Sequence, residues 1–227
     1  MKTLLCIETS SKNCSVAIIR IDEKKNTCFL LGCSDNLSEE YSHSEQLTRI
    51  INNILIENKL SLEEINAIAI SSGPGSYTGL RIGASVAKGL CYSLDIPLIS
   101  TSTLLCMSYE MHKKHNTGLY CPMIDARRME VYTALYDSEL NNIKSPSSCI
   151  VDSDFLSACL KKNKIYFFGD GSVKLKNIIN NVNACFITDF FPSAQHMLDV
   201  VVSKYQKKDF ENIAYYEPYY LKDFYFK

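Results

Sequence analysis

No sign of charge dominates this chain. Lys and Arg number 24 against 25 Asp and Glu, a net charge of −1 over 227 residues. A sequence without a basic excess has no overall field to hold a polyanion, so strong nucleic-acid binding by the chain alone is not expected. Long apolar runs are missing too. The first one, Leu4 to Ile7, stops at Glu8, too short for a signal core or a membrane span. No C-x-x-C pair occurs among the ten cysteines, which are scattered from Cys6 to Cys185, mostly in apolar segments. Thiols placed that way act as small hydrophobes rather than as a disulfide framework. A reduced, cytoplasmic protein without a membrane segment is expected. Also missing is a G-x-S-x-G elbow, and no serine is marked as an activated nucleophile.

Apolar residues make up 46% of the chain and charged ones 22%, enough for one large domain or two small ones with a sizeable core. Three short β segments come first, "TLLCIE", "CSVAII" and "TCFLLGCS", joined by links too short for crossovers. They predict an antiparallel meander. "SHSEQLTRIINNILIEN" has helical periodicity, with Leu47, Ile50, Ile51, Ile54 and Leu55 on one side. Ser61 and Glu64 have capping-box spacing. A strand over 67–71, a helix over 77–93, the strand "IPLIS" and the helix "TSTLLCMSYEMHKK" follow. The order β-β-β-α-β-α-β-α predicts an α/β fold, a mixed sheet with helices on its faces. This is the ribonuclease-H-like module that actin, Hsp70 and sugar kinases carry twice. Residues 1–106 are assigned to that lobe and 107–227 to a smaller, reduced α/β lobe. The second lobe is expected to hold a hairpin around "ARRM", the strand and turn "KIYFFGDGS", and a late helix in "PSAQHMLDVVVSKYQKK".

The segment "SSGPGSYTGLRIGASVAKGL" resembles a phosphate cradle in outline: strand, glycine turn, helix. Its details differ. Leu80 and Arg81 follow Gly79 where a Walker loop needs Lys and Ser or Thr, and Gly73, Gly75 and Gly79 give G-x-G-x-x-x-G rather than the dinucleotide spacing. Two readings stay open. The exposed N–H groups and Arg81 could hold an anion weakly, or the glycines only let the chain turn sharply. In the helix, Arg81, Ser85, Lys88 and Tyr92 form one polar stripe, and Gly79, Gly83 and Ala87 form a ridge of small residues. That ridge could receive the preceding helix of the same chain or a second protein.

Three stretches, "KTLLCIETSSKNCSVAII", "SSGPGSYTGLRIGASVAKGLCYSLDIPLI" and "MIDARRMEVYTALYD", closely resemble the bacterial TsaB (YeaZ) family. "EPYYLKD" resembles that family's E-P-x-Y-L-R tail, with Lys222 where Arg is usual. The resemblance implies the actin/Hsp70/sugar-kinase fold in two lobes. It also implies a part in placing the threonylcarbamoyl group on adenosine 37 of tRNAs that read ANN codons. In that system the catalyst is TsaD, which uses threonylcarbamoyl-adenylate; TsaB pairs with TsaD, and the ATPase TsaE joins them. A homodimer in isolation, and contact with tRNA only through the complex, are further expectations.

TsaD-type chains hold a metal with a His-x-x-x-His pair on the helix after the strand matching "IPLIS". The corresponding residues here are Thr103 and Met107, neither a useful ligand for a catalytic divalent ion. No cofactor, no metal and no catalytic activity of the lone chain are therefore expected. Glu8, in "CIETS", stands where active relatives face metal and phosphate, but capping the turn through the N–H groups of "TSS" is the role expected of it. With Gly73, Gly75 and Arg81 it forms at most a remnant phosphate site. His43 is read as a cap or packing residue, His112 and His115 as a solvated helix end, and His196 as structural. By resemblance, the partner interface uses the first lobe's helices, through Leu47, Ile50, Ile54, Gly79, Gly83 and Ala87. The alternatives are an active metal- or ATP-dependent transferase of the same fold and, further off, a peptidase.

Overall fold

A computed structural model of the protein describes residues 1–37 and 43–222. The chain opens with β1 (Lys2–Glu8), β2 (Asn13–Asp22) and β3 (Thr27–Leu37), an antiparallel meander. Helix α1 (His43–Glu57), β4 (Ala67–Gly73), α2 (Tyr77–Leu94) and β5 (Leu98–Ser102) complete the first sheet, ordered β3-β2-β1-β4-β5. β4 runs parallel to β1, and β5 parallel to β4. The central strand β1 is an almost unbroken apolar run because both of its faces are covered, and Leu4 to Ile7 are fully buried. Strand β3 forms the exposed edge, with Phe29 and Leu30 in solvent.

The expected α1 stripe is buried: Leu47, Ile50, Ile51, Ile54 and Leu55 pack in one cluster with Ile7, Val16, Ile68 and Ile70. At the 3-10 turn Leu62–Glu64 the Ser61 N–H donates to the Glu64 carboxylate at 2.8 Å, as the capping-box spacing predicts. Helix α2 starts at Ser76, whose hydroxyl accepts the Gly79 N–H at 3.2 Å, and ends at Asp95 in the left-handed conformation.

Helix α3 (Thr103–Lys114) leads to a second sheet: β6 (Leu119–Asp125), β7 (Glu130–Tyr136), β8 (Asn142–Ile150), β9 (Ile165–Phe168) and β10 (Ala184–Ile187). Its order, β8-β7-β6-β9-β10, repeats the first sheet strand for strand, with three antiparallel strands followed by two parallel additions. The second lobe is therefore reduced in its helices, not in its strands. Only α4 (Ser157–Leu160) and α5 (Val173–Lys176), four residues each, stand where α1 and α2 have 15 and 18.

The expected boundary after residue 106 needs correction. The first unit comprises Met1–Thr103 and also Pro192–Tyr219, while the second comprises Leu104–Phe191 and the end of the chain from Tyr220. The reason is a returning segment. Residues 192–197 bond to β2: the Asn13 amide donates to Pro192 O at 2.9 Å, and the Ser15 hydroxyl accepts the Ala194 N–H at 2.9 Å. The last helix, α6 (Leu198–Lys207), belongs to the same unit, and Glu211 bridges to Leu98 at the β5 edge. No helix among the described residues is long and apolar enough to cross a membrane.

Candidate functional site

The glycine turn lies beside the end of β1. Parallel pairing sets Ile7 next to Ile70, so Glu8 and its turn face the residues that follow β4. The Ser76 N–H donates to Ser10 O at 2.6 Å. A Cβ on Gly75 would sit 2.3 Å from Ser10 O, one on Gly79 2.1 Å from Thr9 O, and one on Gly83 2.4 Å from the Thr9 hydroxyl. The glycines thus have a steric cause: the start of α2 presses on the Thr9–Ser10 backbone, closer than any side chain permits. The cradle outline is there, and its glycines are accounted for by this close approach.

Glu8 is 1% exposed, and its carboxylate accepts the Ser10 N–H at 2.7 Å. This is the turn-capping geometry that the sequence predicts for it. Burial pushes its carboxyl above the ordinary range, opposed by hydrogen bonds from Ser10 and Ser71. His43 is also buried. Its Nε2–H donates to Ser11 O at 2.8 Å, and burial lowers its pKa, so the neutral ring serves as a packed pin against the same turn. Gly73, at φ +109°, has a different neighbour: a Cβ there would meet Tyr219 O at 2.8 Å, where the Tyr219 N–H donates to Ser72 O at 2.7 Å. Arg81 is exposed and stacks over the Tyr77 ring at 4.1 Å. The structure therefore gathers Glu8, Gly75 and Gly79 around one turn and leaves Arg81 on the solvent side of α2.

The interface residues need correction. Leu47, Ile50, Ile54 and Ala87 are 0–7% exposed, and Gly79 and Gly83 are buried with them. The small-residue ridge faces the protein's own β1 end and sheet, because α2 must approach Thr9 closely. None of the six offers a surface to a second protein. The polar stripe reads correctly: Arg81, Ser85 and Tyr92 are exposed and Lys88 half-buried. Tyr92 is 85% exposed and Ile56 on α1 64%, while Ile82 and Val86 are partly covered.

In the second unit the matching corner is built from Asp125 at the end of β6 and the turn after β9. The Asp125 N–H donates to the Asp170 carboxylate at 3.0 Å. Lys174 reaches Asp125 at 2.7 Å and Glu130 O at 2.7 Å. Lys222 pairs with Glu130, which also accepts the Ser148 hydroxyl at 2.6 Å. Two motifs read separately, "IDARRME" and "EPYYLKD", thus meet in one ion pair across 92 residues. No spacing rule announces that pair; the sequence showed only that Lys222 stands where Arg is usual. Lys222 also holds the Glu130 carboxyl below its ordinary range.

Thr103 and Met107 are each 1% exposed. Met107 packs with Leu104, Met111, Tyr120 and Phe168, a purely apolar role. His112 and His115 do not converge. The His112 ring nitrogen lies 3.3 Å from the Tyr120 hydroxyl, and the His115 ring stacks on Tyr166 at 4.4 Å. His196 is 8% exposed. Among the described residues, no group of three or more His, Cys, Asp or Glu is placed to hold a metal ion.

A sequence model of the family described as "TsaD: tRNA N6-adenosine threonylcarbamoyltransferase" matches residues 39–222. The "tRNA threonylcarbamoyladenosine biosynthesis protein TsaB" of Buchnera aphidicola (subspecies Baizongia pistaciae) is 32% identical over 92% of this chain and 94% of its own length. The protein of the same name from Bacillus subtilis is 30% identical over 79% of this chain and 76% of its own. The solved structure "YeaZ from Pseudomonas aeruginosa" superposes with a TM-score of 0.78 at 24% identity, covering 97% of this chain and all of that one. A second Pseudomonas aeruginosa structure, of an "uncharacterized protein with similarity to peptidase YEAZ", gives 0.81 at 23% identity, over 98% of this chain and all of that one.

Proposed function

The chain belongs to the TsaB (YeaZ) family of tRNA threonylcarbamoyladenosine biosynthesis proteins, within the wider TsaD family, and we propose that it is a non-catalytic subunit of that pathway. It pairs with the TsaD threonylcarbamoyltransferase, is joined by the ATPase TsaE, and reaches tRNA only through the complex. The observation that carries this reading is what the glycines serve: Thr9 O and Ser10 O lie within 2.1–2.3 Å of the positions that Cβ atoms on Gly79 and Gly75 would take. That close approach gives the glycines a packing role, so no phosphate is needed to explain them. Thr103 and Met107, buried and without metal-ligand chemistry, support the same reading.

The partner's contact moves to the outer face of the same helices. Tyr92 on α2 and Ile56 on α1 are large exposed side chains, while Ile82 and Val86 are half-buried against the core beside the Gly79–Ala87 ridge. A second copy of this chain takes the same face when TsaD is missing, so the two states compete.

The test is reconstitution with the cognate TsaD and TsaE, threonylcarbamoyl-adenylate and tRNA, reading modified adenosine by mass spectrometry. The lone chain yields none; the mixture does. Tyr92→Asp together with Ile56→Asp leaves circular dichroism unchanged and weakens TsaD capture at least tenfold. Chelator-sensitive modification by the lone chain supports the active-transferase reading instead.

A further inference from the structure

One cavity of the first unit lies at the opposite end of the sheet from Glu8 and the glycine turn. It is a half-open cleft of about 590 Å³, within the range of small-ligand clefts. Its walls come from the chain positions where β1, β4 and β5 begin: Lys2, Asn66 and Pro97. The end of β2 and its turn add Ile21, Glu23 and Asn26, and the end of α6 adds Tyr205, Gln206 and Lys208, with Phe210 beyond.

The lining has three kinds of chemistry. Tyr205 and Phe210 form an aromatic corner, ring centroids 5.9 Å apart at 56°, beside buried Ile21 and half-buried Pro97. A flat heterocycle stacks on such a corner whatever its identity. Asn26, Asn66 and Gln206 supply amides, and the Asn66 carbonyl is already engaged by the Thr3 N–H at 2.9 Å, which leaves its NH₂ group to donate. Amides can read the paired donor and acceptor edge of a purine. Lys2 and Lys208 supply cations for a phosphate, and Glu23 supplies an acceptor for sugar hydroxyls. The last carbonyls of α6 do not compete for those cations, because Lys204 O and Tyr205 O already accept the Asp209 and Lys208 N–H groups at 2.9 and 3.1 Å. Burial and the nearby Glu23 both raise the Tyr205 hydroxyl, which keeps it a neutral donor.

We propose that this cavity binds a free purine nucleoside monophosphate: the base against Tyr205 and Phe210, the phosphate between Lys2 and Lys208. The site is separate from the glycine turn, and it stands whether or not the chain pairs with TsaD.

The test is an NMR titration of the isotope-labelled full chain with AMP, alongside adenosine, inorganic phosphate and a short adenylate RNA. AMP gives saturable shifts at Lys2, Asn66, Gln206 and Phe210, and none at Gly73–Arg81. Adenosine binds about tenfold more weakly, which is one charge-assisted contact. Phosphate alone is weaker still. Lys208→Glu, at an exposed position, weakens AMP about tenfold and leaves adenosine unchanged; Lys2→Glu repeats this from the other wall. Failure to saturate at about 10 mM AMP, far below useful recognition, overturns the proposal. So do shifts confined to Gly73–Arg81, insensitivity to both lysine variants, or RNA binding the same residues more tightly than AMP does.

Discussion

The two units share one strand order and differ in almost everything laid over it. In the first, crossovers of 15 and 18 residues form α1 and α2; in the second the same positions hold α4 and α5, four residues each. The sheet does not need long helices to stay covered. Leu156, Leu160, Leu175 and Ile179 from short turns bury one face of the second sheet, and Leu104, Met107 and Met111 of α3 bury the other. What the long helices add is an outer surface, because a helix of four or five turns has a side left over after packing. The corners differ in the same spirit. Glu8 is buried without a cation; Asp125, at the matching strand end, is 44% exposed and held by Lys174. The comparison teaches that topology follows the strands, whereas the outer helical surface left free after packing follows crossover length.

The comparison breaks hardest at the helix–sheet contact. Ala87→Arg puts a charge where exposure is 0%, against the first unit's own core, and should cost more than about 3 kcal/mol, enough to unfold the domain. Val173→Arg in α5, the matching short helix, lies at a position 53% exposed and should change stability by less than about 0.5 kcal/mol. Thermal unfolding of both variants decides. Equal effects would mean that α2 does not pack as tightly as the glycine contacts require.

The same contact shows where sequence reasoning stopped. The first sheet was legible because its strands are apolar runs with short links, and α1 because its stripe is clean. Strand β8 was not predicted: "NIKSPSSCI" is a polar edge strand containing Pro146, with no apolar face to read. β10 is an edge strand only four residues long and half-buried throughout, too short to show a period. At the site, Glu8 and the glycine turn were legible from residue types. The burial of Gly79, Gly83 and Ala87 was not, since periodicity gives a helix face but not which neighbour covers it. The Glu130–Lys222 and Asp125–Lys174 pairs join distant segments and leave no local mark.

Titration sharpens the contrast between corners. The folded Glu8 carboxyl is raised above its ordinary 4.5 by burial. As pH rises past 4.5 the unfolded chain gives up that proton first, so the contribution of Glu8 to stability is full in acid and is lost through the raised folded value. Glu130 runs the other way. Lys222 lowers it from 4.5, so its contribution is present above 4.5 and is lost as pH falls through the lowered value. Denaturant midpoints from pH 3 to 7.5 test both signs (about the span of these carboxyls). Glu8→Gln should gain on the wild type with rising pH. Glu130→Gln should trail it at neutral pH by about 0.5 kcal/mol, since the pair is exposed and screened, and meet it in acid. Parallel profiles for the two variants would remove the difference.

The smallest effect concerns Gly89. It lies at an exposed position of α2, and among the described residues nothing stands within 4 Å of where its Cβ would be. An exposed glycine inside a helix costs roughly 0.5–1 kcal/mol relative to alanine, and no turn or contact among the described residues asks for it. Gly79 and Gly83 on the inner side are explained by Thr9; no neighbour among the described residues requires Gly89, and close approach of a partner from outside would. Gly89→Ala should therefore stabilise the isolated chain by about 0.5–1 kcal/mol in denaturant unfolding. It should also weaken capture of TsaD, because the added methyl holds a partner's backbone away from the helix. Stabilisation with capture unchanged would place the partner off this face of α2, and would leave the long first-unit helices without the role that sets them apart from α4 and α5.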